Sequence, residues 1–272
     1  MKLIDGRAIA EKIKDKIALE IHELKGPRPG LAIILVGERS DSTLYVSLKE
    51  KQAKAVGIDT HLYRLAESTD QEEILATIKF LNNDPEIDGI LVQVPLPEKL
   101  NTDLIINAIN PDKDVDGFTK ENMLRLMGEK SEVGLMPPVY AVIIAMLESI
   151  NCEIENKKVN LAVNSDIFED NLVEILKRQA GEIVTNMQEA DIVITAQGKA
   201  GSITADMVKD NAIIIDIGIS HNKEGKICGD VDAESMKDKS GYLSPVPGGV
   251  GPMTIAMAFL NTLITFKKQK GL

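Results

Sequence analysis

Tyr45 and Lys49 stand four residues apart in "YVSLKEK", a spacing that puts both on one face of a helix. A lysine partly desolvated on such a face has a lowered pKa and can move a proton near neutral pH, and the tyrosine ring beside it offers a stacking surface. The plain alternative is an amphipathic helix with Tyr45 packed and Lys49 solvated. Gln93, in "DGILVQVPLP", is a polar residue in an otherwise apolar strand, near the end at which open α/β sheets gather ligands. A buried amide needs partners, and either a ligand or the neighbouring backbone supplies them. "PDKDVDGF" carries Asp112, Asp114, Asp116 and Gly117, the first half of a calcium loop. The position that should hold a bidentate glutamate is Met123, so calcium is rejected. What remains is a turn whose aspartates bond their own backbone, or a carboxylate accepting paired donors from an amino-heterocycle. "SPVPGGVGPMT", with Pro247, Gly248 and Gly249, reads as a rigid loop of close backbone approach. It leads into a helix that Pro252 suits in its first turn. A tight interdomain turn is the alternative.

A fifth stretch, "VNLAVNSDIFEDNLVEIL", runs from a buried strand into an amphipathic helix. The turn between them, "NSDIFEDN", is where an α/β domain usually places a glycine-rich phosphate loop. It has no glycine and three acids, Asp166, Glu169 and Asp170. Asp166 and Glu169 are spaced as a capping box. They would occupy the helix N–H groups that a pyrophosphate uses, and would repel it.

These residues need a scaffold, and the rest of the chain supplies the pattern for one. "LAIILVG" (31–37) and "DTHLYRL" (59–65) read as strands, as do "DGILVQVPLP" (88–97) and residues 158–163. Helices are expected over 42–56, 70–83, 138–150 and 170–179. Further strands are expected in "EIVTN", "ADIVITAQG" and "NAIIIDIGI". Strands alternating with helices imply parallel sheets covered on both faces. Two such series suggest an α/β protein of two lobes with a cleft between them. A chain of 272 residues is long enough for that. The net charge of −11 argues against a nucleic-acid backbone or an anionic membrane surface as partner. Cys152 and Cys228 fit no metal-ligand pattern and read as reduced thiols of a cytoplasmic protein. The N-terminus lacks a signal-peptide core, and apolar stretches such as "AVIIAML" fall short of the ~20 residues of a membrane span.

Taken together, "YVSLKEK", "DGILVQVPLP", "PDKDVDGF" and "PVPGGVGPMT", in this order and spacing, resemble the bifunctional methylenetetrahydrofolate dehydrogenase/methenyltetrahydrofolate cyclohydrolases. "AQGKAGSIT", "IDIGIS" and "GDV" add to the likeness. The resemblance implies a folate-binding catalytic domain (1–136 plus the C-terminal helix 252–272) and a Rossmann-like nucleotide-binding domain (137–251). It implies one-carbon chemistry on tetrahydrofolate derivatives. Methylenetetrahydrofolate is oxidised by NADP or NAD, and the methenyl cation is hydrolysed to 10-formyltetrahydrofolate. Lys49 matches the catalytic lysine, Gln93 the residue that holds and tunes it, and Tyr45 the ring that stacks on the folate. Asp116 matches the carboxylate on the pterin's amino edge. Pro247, Gly248 and Gly249 fall in the substrate loop, and Asn164, Ser165 and Ile219 at the cofactor. A homodimer is implied as well.

The departures cluster in the nucleotide half. A family pattern G-R-S-x-I-V-G-x-P reads Val163 to Asn171 here, keeping only Ser165 and Ile167. P-C-T-P reads Pro137, Pro138, Val139, Tyr140, and the loop after "EIVTN" is shortened to "MQEA". The turn therefore predicts weak or lost NADP binding, with NAD less disfavoured because no basic residue is visible for the 2′-phosphate. Cyclohydrolase chemistry needs no nucleotide. The alternative of another class is a catalytically silent homologue that binds folate or a protein, against which the retained Lys49 argues.

Overall fold

The computed structural model describes residues 1–37, 40–129 and 134–272, without the side chains of residues 40, 41, 44, 45, 166 and 167. The chain forms two compact units, Lys12–Pro138 with Ile255–Leu272, and Met1–Glu11 with Val139–Thr254.

In chain order the elements begin with β1 (Lys2–Leu3), α1 (Gly6–Leu24), β2 (Gly30–Val36), α2 (Ser40–Val56) and β3 (Asp59–Leu65). Next come α3 (Gln71–Asn83), β4 (Gly89–Val92), α4 (Thr102–Asn107) and α5 (Lys120–Leu126). The first unit is built on a parallel sheet of order β3-β2-β4. Every residue of β2 is buried, so it reads as an unbroken apolar run rather than an alternation. Its side chains still part by period two. Leu31, Ile33 and Leu35 pack with Ile17 of α1, Val46 and Ala53 of α2 and the C-terminal helix. Ala32, Ile34 and Val36 pack with Ile74, Ile78 and Leu81 of α3 and Ile105 of α4. The strand expected over 88–97 closes at Val92; Gln93 still gives its N–H to Ile34 O of β2, but Pro95 and Pro97 have no N–H to continue the ladder.

The second unit contains α6 (Pro138–Ser149, whose first residue lies in the first unit), β5 (Lys158–Val163), α7 (Asp166–Arg178), β6 (Glu182–Ile183), β7 (Ile192–Ala196) and β8 (Ile213–Asp216). The hairpin β9 (Ser220–His221) and β10 (Ile227–Cys228) and the strand β11 (Tyr242–Leu243) follow. The sheet order is β1-β11-β8-β7-β5-β6, and each pairing in it is parallel. β1 is one of the two edge strands, with Lys2 opposite Tyr242. This pairing is why Met1–Glu11 groups with the second sheet rather than with the residues that follow it.

The last helix, α8 (Val250–Lys270), passes the length and composition test for a membrane span, which the sequence reading placed out of reach, but 67% of its apolar window is buried inside the fold. Its Phe259, Leu263 and Phe266 belong to the core of the first unit.

Candidate active site

Lys49 lies on α2, and its Nζ donates to Gln93 Oε1 at 3.0 Å. Gln93 follows the last residue of β4; its backbone N–H bonds Ile34 O at 2.8 Å and its Nε2 donates to Val94 O at 2.7 Å. With the amide held at both ends of its donor–acceptor pair, Oε1 is aimed at the lysine. Burial holds the Lys49 pKa below its ordinary value, and the opposing pull comes from the Asp116 carboxylate. Burial also pushes Asp116 up to about 6, against the nearby Lys49 charge and with help from Asp114. An amine that resists protonation and a carboxyl that resists ionisation thus face each other.

Asp116 reaches this place because residues 113–115 continue the sheet beside β4. Ile90 bridges Asp114 in parallel register, with Ile90 N donating to Lys113 O at 2.6 Å. Gly89 is required here, since a Cβ on it would lie 2.5 Å from Val115 Cγ1. Asn261 of α8 donates to Val115 O at 2.8 Å and Met136 O at 3.0 Å. Sequence reading gave Asn261 no role, because a single polar residue in a C-terminal helix carries no local signal.

The three aspartates of "PDKDVDGF" separate cleanly. Asp112 pairs with Arg125 Nη1 and Lys268 Nζ, each at 2.8 Å. Asp114 is buried and accepts from Gly117 N at 2.9 Å, Thr119 N at 2.8 Å and Asn122 Nδ2 at 3.1 Å. Of the three, Asp116 is the carboxyl whose charge acts on Lys49. The loop is therefore an Asp-bonded turn whose Asp116 carboxyl lies within electrostatic reach of Lys49. The Tyr45 side chain lies outside the described residues.

In the second unit, Pro247, Gly248 and Gly249 form the tight loop that starts α8. Gly248 has φ +111°, and a Cβ on Gly6 would lie 2.0 Å from Gly249 O, so α1 begins directly against the loop backbone. Asn164, Ser165 and Ile219 stand at the carboxyl ends of β5 and β8. With β6 on one side of β5 and β7 on the other, the sheet has its switch point between the ends of β5 and β7, where a doubly wound fold takes a dinucleotide, and β8 is the next strand beyond β7. Asn164 Nδ2 spans that point to Gln197 O at 3.0 Å.

The turn differs from expectation. α7 starts at Asp166, not at 170, so the eight-residue turn shrinks to Asn164 and Ser165. The capping box of Asp166 with Glu169 is replaced by a Ser165 cap, whose Oγ accepts from Phe168 N at 3.3 Å. Acids in the first turn of a helix favour it through the dipole, so "DIFED" extends the helix instead of breaking it. The Asp166 side chain is outside the described residues. Three departures from the family pattern also meet one another. The Tyr140 and Phe168 rings lie 5.1 Å apart, Tyr140 Oη donates to Phe168 O at 3.4 Å, and Asn171 bonds the Tyr140 hydroxyl, whose pKa burial pushes up to about 12.

A dinucleotide fits the strand ends. The loop after β7 carries Gly198 at φ +66°, and a Cβ there would meet nothing within 4 Å, which leaves backbone open to a close-lying ligand. The α7 terminus is the poorer part of that fit, with Ser165 on the Phe168 N–H and acids in the first turn.

Comparison with known proteins agrees. Residues 4–116 match the tetrahydrofolate dehydrogenase/cyclohydrolase catalytic domain, and residues 137–270 match the NAD(P)-binding domain of the same family. This chain belongs to the tetrahydrofolate dehydrogenase/cyclohydrolase family. The bifunctional protein FolD of Nautilia profundicola is 40% identical over 275 residues, covering 97% of this chain and 96% of that one. The bifunctional FolD dehydrogenase/cyclohydrolase structure from Campylobacter jejuni superposes with a TM-score of 0.93 at 36% identity, over 98% of this chain and 99% of that one. The Trypanosoma brucei enzyme, solved with NADP and an inhibitor, gives 0.91 at 30% identity over 99% and 98%.

Proposed function

We propose that Lys49 is the proton-transfer group of a methenyltetrahydrofolate cyclohydrolase, with Gln93 holding it and Asp116 binding the pterin edge. The chain is an enzyme of one-carbon folate metabolism with dehydrogenase and cyclohydrolase activities. The observation that carries the assignment of residues is the 3.0 Å bond from Lys49 Nζ to Gln93 Oε1, on a lysine whose pKa burial lowers. Water adds to the methenyl carbon of the cation, and the neutral Lys49 amine takes one of its protons. The bond from that carbon to N5 then breaks, N5 receives the proton from Lys49, and the hydroxyl proton leaves to solvent as the formyl C=O forms on N10. One proton is released overall, and Lys49 ends neutral.

Tyr45 and the Pro247–Gly249 loop are assigned to folate contact, and Asn164, Ser165 and Ile219 to the cofactor. Bound NADP or NAD supplies a hydride acceptor for the methylene carbon. The unit Lys12–Pro138 with Ile255–Leu272 is assigned the folate chemistry. A homodimer in the cytoplasm is part of the same reading.

The test is hydrolysis of methenyltetrahydrofolate by the purified chain with no dinucleotide present. Turnover well above the uncatalysed rate supports the reading. Folate-analogue binding without turnover would replace it with the silent-homologue alternative.

A further inference from the structure

"IDIGIS" and "GDV" resemble family motifs, yet the folate chemistry leaves their aspartates unused. In the structure they form a reciprocal lock. Asp216, at the end of β8, accepts from Gly218 N at 2.9 Å, Asp230 N at 3.1 Å and Val231 N at 2.9 Å. Asp230 accepts from Thr195 Oγ1 at 2.8 Å, Gln197 N at 2.6 Å and Lys199 N at 2.7 Å. Each carboxylate lies on a glycine near the other in sequence, Asp216 on Gly229 and Asp230 on Gly218. A Cβ on Gly229 would sit 2.0 Å from Asp216 Oδ2, and a Cβ on Gly218 would sit 2.3 to 2.5 Å from the Asp230 carboxylate. Both aspartates are buried, at 2% and 0% exposure, so each of these charge-assisted bonds is made out of reach of water, where it is strong and its loss is costly.

The lock gathers the carboxyl ends of three adjacent strands. Asp230 holds the loop after β7 by two successive odd-numbered N–H groups, Gln197 and Lys199, which bracket the open Gly198. Gln197 O in turn accepts from Asn164 at the end of β5. Asp216 and Gly218 fix the end of β8, immediately before Ile219, whose side chain is 57% exposed. Both the exposed backbone at Gly198 and the exposed side chain at Ile219 therefore take their position from one pair of buried carboxylates. Gly198 stands at the switch point between β5 and β7, the place where doubly wound folds take a dinucleotide, and Ile219 stands one strand beyond it, after β8.

We propose that Asp230, locked by Asp216, Gly218 and Gly229, is a positioning residue for the nicotinamide dinucleotide. It shapes the Gln197–Lys199 loop and the Gly218–Ile219 strand end that the cofactor lies against. The proposal rests on the NAD(P)-binding reading of this unit and adds the residues that set the site's shape without touching the ligand.

The experiment is calorimetric titration of NAD and NADP into the full chain and three variants, with dinucleotide-free methenyltetrahydrofolate hydrolysis measured beside it. Asp230→Asn keeps the shape but turns one acceptor into a donor facing an N–H. Gly218→Ala pushes the carboxylate without removing it. Thr195→Val removes the hydroxyl shared between Asp230 Oδ2 at 2.8 Å and Ala162 O at 3.2 Å and leaves both loop N–H groups held, which gives a variant that folds if the others do not. Dissociation constants should rise by roughly ten- to a hundredfold in Asp230→Asn and Gly218→Ala, the size of one or two lost charge-assisted bonds. Thr195→Val should rise less, the dehydrogenase KM for the dinucleotide should follow the same order, and hydrolysis should stay within about twofold. Unchanged dissociation constants would overturn the proposal, as would hydrolysis that falls in step with binding, since that is general loss of fold. If the parent chain takes up neither dinucleotide, the cofactor reading itself fails, and the lock fails with it as a device for binding.

Discussion

Replacing Lys49 by methionine removes the amine and keeps much of the side chain's length and packing. The Nζ–Oε1 bond to Gln93 at 3.0 Å is lost, which costs about 1 kcal/mol of stability. That cost is offset because a half-buried ammonium, already disfavoured enough to lower its pKa, no longer has to be desolvated. Unfolding midpoints should thus change little. Catalysis should change greatly: general acid–base transfer contributes about 10²–10⁴-fold, so kcat for methenyltetrahydrofolate hydrolysis should fall by that factor. Lys49→Arg separates the two roles a cation could play. Its guanidinium keeps a positive charge opposite Asp116 but cannot become neutral, so it should be as inactive as the methionine variant. In the parent the rate should rise with pH through the lysine's ionisation, below the ordinary lysine range, as the fraction of neutral amine grows. Asp116 offers a second readout. Lys49 is the cation that restrains its pKa near about 6, so in Lys49→Met the carboxyl should titrate higher. Binding of a folate analogue should then need a more alkaline pH, and above it recover. A Lys49→Met kcat within about tenfold of the parent, or an active Lys49→Arg, would refute the proton-transfer role.

Asp116→Ala should weaken folate-analogue binding far more than Asp112→Ala, which breaks the pairs to Arg125 and Lys268, while Asp114→Ala should act mainly by lowering the melting temperature; equal loss of binding in all three would return the loop to a structural role. Asp116 also sets a slope in stability: its folded pKa, about 6, lies above the ordinary 3.8, so the folded state holds more protons between those values. Its contribution is therefore fully present below pH 3.8 and is lost as pH rises through about 6. Denaturant unfolding of Asp116→Asn over that window should show a flatter dependence than the parent, and an identical slope would contradict the assignment. At the second site, NADP should bind weakly and no tighter than NAD. Asp166→Asn with Glu169→Gln should tighten both by roughly three- to thirtyfold, the removal of two acids each worth ~0.3–1 kcal/mol against an anion at a helix N-terminus; unchanged affinity would show that the pyrophosphate lies elsewhere. Ser165→Ala should cost about 1 kcal/mol of stability in denaturant unfolding, as loss of an N-cap does, and no change would mean that the cap is not formed in solution.

What could be read from the residues followed the reach of each signal. β5 occupies 158–163 as expected, because a short, mostly apolar run bounded by turn residues marks a strand through local chemistry alone, and β3 occupies 59–65 as expected too, although its residues are mixed polar and apolar and none is fully buried. Gln93 and Lys49 were visible singly, one as a polar residue at a strand end and the other by helical spacing; their contact required β4 and α2 to meet, which no window of sequence contains. Asp116 could be told from Asp112 and Asp114 only by its family match. The physical distinction comes from the pairing of Ile90 with Asp114, which turns one carboxylate into the loop and leaves the one two residues later beside Lys49. The acids of "DIFED" misled for a different reason. Acidic residues are common in turns and also favoured in a helix's first turn, so composition could not decide between them, whereas Ser165 and the Phe168 N–H could. The aspartates of the lock were least legible of all. Asp216 and Asp230 sit fourteen residues apart, each looks locally like a turn aspartate, and only their placement over each other's glycine shows that one buried pair governs three strand ends.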